Sequence, residues 1–88
     1  MNPILAMLLT SMLPIIQKQI NADLFRFIEH EIENKLGFEI PGDRTRDLIL
    51  QDLDSEFGWT PILIATPQWL FNLTIYAVKA KWFNKREV

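Results

Sequence analysis

Charge is distributed along this chain in blocks, and that layout constrains the fold more than any motif does. The first charged side chain is Lys18, and a second uncharged stretch of 22 residues runs from Phe57 to Val78. Between them, residues 18–56 hold ten acids and five bases, a net of −5. The last ten residues carry Lys79, Lys81, Lys85, Arg86 and Glu87, a net of +3. The order is therefore apolar, acidic, apolar, basic, with no repeat, low-complexity run or Gly/Ser linker.

An uncharged, strongly apolar segment must be covered by something. Eighty-eight residues form at most one domain. A domain of that size buries only about 60–65% of the surface its unfolded chain exposes. Small domains usually add a staple, either disulfides, a metal or oligomerisation. With no cysteine, disulfides, thiolate zinc sites and iron–sulfur clusters are excluded. Hydrophobic residues make up 49% of the chain, too many for intrinsic disorder. A net charge of −2 gives no general attraction to nucleic acid, which is not an expected partner.

Apolar residues recur every four positions at Ile4, Leu8, Met12, Ile16, Ile20, Leu24, Ile28, Ile32 and Leu36, which is helical spacing. From Ile20 onward the face is amphipathic, with Asp23, Arg26, Glu29, His30, Glu33 and Asn34 expected outside. Pro14 interrupts the pattern. The reading is a short first helix, a kink or restart capped by Ser11, and a long helix ending at Gly37. Asp43 is a candidate N-cap for a further helix through Leu48, Ile49, Leu50 and Leu53, with Gly58 as its stop. Residues 59–65, with Pro61 and β-branched neighbours, read as a short extended segment. Thr66-Pro67 starts a last helix that runs to about Asn84. The expectation is an all-α fold of three to four helices, kinked at Pro14, with one short extended segment. As a single domain it divides into an apolar segment 1–17, acidic amphipathic helices 18–58, and an apolar helix with a basic tail 59–88.

Candidate chemistry is sparse. His30 and Glu33 share a helix face and could supply two metal ligands, but two ligands fix no site. Asp52, Asp54 and Glu56 imitate the start of a calcium loop, yet Phe57 and Leu63 stand where glycine and glutamate are required. Asn72-Leu73-Thr74 is formally a glycosylation sequon inside an apolar helix pattern. Arg44 and Arg46 sit among carboxylates that favour local ion pairs over a phosphate. No hydroxyl has a recognisable base beside it, so no catalytic residue, metal, cofactor or small-molecule substrate is expected.

Function is therefore sought in contact. The leading expectation is a non-enzymatic structural or assembly protein, packed in a homo-oligomer or against a larger protein. Its interface residues would be Ile4, Leu8, Met12, Ile16, Trp59, Trp69, Leu70, Leu73 and Trp82, because buried aromatics dominate interface energies. Short, cysteine-free chains with apolar ends are frequent among viral and phage components, and such a component is one form this reading takes. A first alternative is a small membrane protein with 57–78 inserted. That stretch is long enough and is followed by bases, although Pro61, Pro67, Gln68 and Asn72 break it. A second is a soluble acidic binding module or inhibitor.

Overall fold

Residues 2–54 and 60–87 are described by a computed structural model, with the side chains of the last helix described as far as Phe83. The elements are α1 (Pro3–Ser11), α2 (Leu13–Gln19), α3 (Ala22–Glu31), α4 (Gly42–Asp54), α5 (Thr60–Ala65) and α6 (Gln68–Glu87). A π turn, Ile32–Leu36, continues α3. The all-α class holds, and no strand occurs among the described residues. Among the described residues there are six α-helices where three to four helices were expected, because capping residues cut the chain more often than its apolar spacing indicates.

The first cut is at Met12. Ser11 is not the cap: its hydroxyl turns back and donates to the Leu8 carbonyl at 2.6 Å. α2 begins with Pro14 in its first turn, where a missing N–H costs nothing. The second cut falls inside the expected long helix. Ile20 is extended, and the Asn21 side chain accepts from the N–H groups of Asp23 at 2.9 Å and Leu24 at 3.1 Å. That is the geometry of an N-cap, worth about 1 kcal/mol.

Gly37 ends the π turn as its position suggested. Its φ of 78° lies in the left-handed region, and its N–H donates to the Ile32 carbonyl at 2.8 Å. α4 starts one residue before Asp43, with Thr45 N–H donating to the Pro41 carbonyl at 2.9 Å. Gly42 lets the end of the Tyr76 side chain lie close to the backbone: a Cβ at that position would stand 2.5 Å from it and would make the tyrosine shift. The stop expected at Gly58 lies outside the described residues.

The extended segment at 59–65 is a correction: its described part is the helix α5. Thr60-Pro61 opens α5 and outweighs the β-branched Ile62 and Ile64. At the next boundary Thr66 is not the cap: its hydroxyl donates back to the Ile62 carbonyl at 2.7 Å, and Pro67 stands just before α6, its carbonyl accepting from the Phe71 N–H at 3.1 Å. The uncharged stretch is thus divided in two at Thr66-Pro67. Among the described residues no helix is long and apolar enough to cross a membrane.

α6 is the helix around which the rest is built. It packs against α1, α2, α3 and α4. Phe71, Ile75, Ala77 and Val78 share one core with Ile16, Leu24, Phe25, Ile28, Ile32, Ile49 and Leu53. Each large side chain fully buried this way contributes about 1.5–3 kcal/mol. The radius of gyration, 12.6 Å, is close to the roughly 12 Å of a compact chain of this length.

Candidate interaction surface

α1 packs against α6, and Ala6 is its one buried residue. The large side chains of α1 point elsewhere. Ile4 is 70% exposed, Leu5 49%, Met7 66% and Leu8 58%, and Ile15 on α2 is 60% exposed. Residues 2–17 carry no charged side chain, so α1, and α2 up to Gln17, add none of their own. The four-residue spacing does not run along one helix: the chain is cut at Met12, and Ile4 and Leu8 on α1 are exposed while Ile16 on α2 is buried.

The expected interface residues therefore separate. Ile4 and Leu8 are exposed on α1, and Trp69 is exposed at the start of α6. Ile16 and Leu70 are buried in the chain's own core, with Met12, Leu73 and Trp82 half-buried against it. Trp59 lies outside the described residues. Leu5, Met7 and Ile15 were not singled out, although their i+3 and i+4 relation to Ile4, Leu8 and Ser11 was readable.

The polar side chains act mostly as internal joints. Lys79, the first charge after the uncharged stretch, is only 6% exposed. Its ammonium donates to the Ile40 carbonyl and, at 2.9 Å, to Thr45 Oγ1. Thr45 Oγ1 in turn donates to the Pro41 carbonyl at 3.0 Å. The last helix thus holds the connector between α3 and α4. Burial pushes the Lys79 amine below its usual range.

Glu29 and Glu33, expected outside, face α6. Lys81 Nζ donates to Glu29 Oε2 at 3.0 Å, and Trp82 Nε1 donates to Glu33 Oε1 at 2.5 Å. The Trp82 ring also lies against Phe38, centroids 5.6 Å apart. Glu31 is 7% exposed, and its Oε2 has no hydrogen-bond partner. Burial, then its hydrogen bond to Asp52, raise its carboxyl above the usual range. Lys35, 2.7 Å from Asp52 Oδ2, holds the Asp52 carboxyl low.

These joints account for the sequence motifs. Asn34 Nδ2 lies 3.1 Å from His30 Nδ1, while Glu33 is engaged by Trp82, so the pair does not converge. Among the described residues, no three metal-ligating side chains come together. Asn72 Oδ1 accepts from Arg46 at 3.3 Å, and Thr74 is buried, its hydroxyl donating to the Leu70 carbonyl. Arg46 also lies 3.7 Å from Asp47. These two residues line a cavity of about 420 Å³, with Leu50, Leu63 and Phe71 as its apolar wall. In comparisons with protein-family models, curated proteins and solved structures, nothing matches this chain.

Proposed function

We propose that this is a non-enzymatic structural or assembly protein that works by contact through the outer face of α1 and α2. The observation that carries the reading is the exposure of Ile4, Leu5, Met7, Leu8 and Ile15, in a stretch of chain without a charged side chain. Fully burying one such side chain yields about 1.5–3 kcal/mol, so covering what these five leave exposed yields on the order of 5–8 kcal/mol. Association costs about 4–15 kcal/mol in lost freedom, so the face supports a contact when the partner is apolar too. Contiguous apolar patches of this kind on small proteins commonly mark interaction sites.

The alternatives have less support. Insertion of 57–78 would expose to lipid a helix whose side chains Ile75, Ala77, Val78 and Ala80 have no exposure. An acidic binding module would need its carboxylates outside, whereas Glu29, Glu31, Glu33 and Asp52 are used in joints within the chain.

The test uses an apolar fluorescent dye and the triple variant Ile4→Ser/Leu8→Ser/Ile15→Ser. The native chain should either run larger than its 10.3 kDa or, as a monomer, bind the dye. The variant should do neither while keeping its helical circular dichroism. A native monomer that ignores the dye would sink the reading.

A further inference from the structure

We propose that the cavity between α4, α5 and the start of α6 binds a small anion with an apolar body, of the medium-chain carboxylate class. The cavity measures about 420 Å³. Small-molecule sites occupy about 300–1,000 Å³. Its walls come from residues 46–71, so the site stands apart from the α1–α2 face and from the reading built on that face.

The walls select the body of the ligand. Leu50 on α4, Leu63 on α5 and Phe71 on α6 line the cavity from three helices. Phe71 is 4% exposed and belongs to the core, while Leu50, 36% exposed, reaches out to solvent. An apolar chain entering here leaves water for these three side chains.

Arg46 selects the charge. Its side chain lines the cavity at 24% exposure, and a guanidinium carries several N–H donors in a rigid fork. Among the described residues one of them is engaged, by Asn72 Oδ1 at 3.3 Å, which anchors the group to α6. Asp47 lines the same cavity, but its carboxylate lies 3.7 Å from Arg46 Nε, beyond hydrogen-bond reach. At 56% exposure it is also the more screened of the two. The guanidinium thus keeps donors for an oxyanion, and a carboxylate can accept two of them side by side. The first turn of α6 adds the same sign. Gln68, its first residue, lines the cavity, and the Thr66 hydroxyl is turned away to the Ile62 carbonyl, so it does not cap that end. The positive end of the helix dipole lies at the same cavity as the guanidinium.

The probes are octanoate and 1-octanol, the same tail with and without the charge, titrated into the full chain and followed by amide NMR. Octanoate should shift Leu50, Leu63 and Phe71 saturably, together with the Arg46 side-chain N–H. It should bind about tenfold more tightly than 1-octanol, the worth of a charge-assisted hydrogen bond. Arg46→Gln should abolish that preference, and Asp47→Asn should tighten octanoate about twofold by removing an exposed like charge. Ile4→Ser/Leu8→Ser/Ile15→Ser should bind octanoate as the native chain does, which separates this site from the α1–α2 face. Equal binding of the two probes by the native chain, or shifts centred on Ile4 and Leu8, overturns the proposal. So does weaker octanoate binding by Asp47→Asn, a readout that stands even if Arg46→Gln fails to fold. None of these outcomes touches the assembly reading, which the dye test above decides.

Discussion

α1 and α6 are built from similar material and have opposite fates. Both are apolar nearly all round: α1 carries no charge, and α6 none before Lys79. α6 packs against four other helices and buries Leu70, Phe71, Ile75, Ala77, Val78 and Ala80, leaving Trp69 and Tyr76 exposed, whereas Ala6 is the one buried residue of α1. Composition alone does not bury a helix; its place in the packing order does. A central helix needs apolar residues on every side, and a peripheral one with the same pattern is left with an open face.

Substitutions can break or sharpen that contrast. The largest effect belongs to the core of α6. Ile75→Asp buries an unpaired carboxylate and should abolish folding, and Ile75→Ala should cost about 2–5 kcal/mol in urea unfolding. The matched change on α1, Leu8→Asp, should leave monomer stability within about 0.5 kcal/mol. Equal losses at both positions would show that α1 is as enclosed as α6.

Next comes Lys79. Lys79→Ala removes the donors to Ile40 and Thr45 together with a buried stem, and should cost about 2–3 kcal/mol. Its titration sharpens the case. The folded amine is held below the unfolded value by burial, so above the folded value the unfolded chain binds more protons. Stability should then rise with pH up to the ordinary lysine range, near 10.5. Chemical unfolding in Lys79→Met should lack that alkaline rise.

Glu31→Gln should act in the opposite sense and more weakly. The raised folded value of Glu31 means that its contribution is complete below its ordinary 4.5 and is lost as pH rises through the folded value. Two carboxyl groups, of Glu31 and Asp52, share this joint with Lys35. A neutral glutamine that donates to Asp52 should add about 0.5–1 kcal/mol at pH 7 and flatten the fall above pH 4.5 in a stability profile. A loss of stability at pH 7 would mean that the ionised pair with Lys35 outweighs the repulsion.

Much of the helical content was readable, because local signals set it. Gly37 stops a helix by its φ, and Thr66-Pro67 starts one by the shape of proline. The same rules, applied to Asn21 and Thr60-Pro61, would have placed the two missed boundaries. There a continuous apolar stripe and a run of β-branched residues masked short capping signals. Which apolar face is covered was not readable. Ile4 and Ile28 look alike in the stripe, and only the docking of α1 through Ala6 separates them. Lys79 was unreadable for a similar reason: its partners, Ile40 and Thr45, are 39 and 34 residues away.

The position of α6 has a consequence for biosynthesis. A ribosome adds about 5–20 residues per second, and residues 2–65 are synthesised before the helix on which they close. During those seconds Ile16, Leu24, Ile28 and Ile49 lack the surface that covers them in the finished fold. The nascent segment is therefore a string of short, marginal helices whose collapse waits for α6. Ribosome-bound chains ending near Ala65 should be digested readily by protease, and resistance should come in one step as α6 clears the exit tunnel.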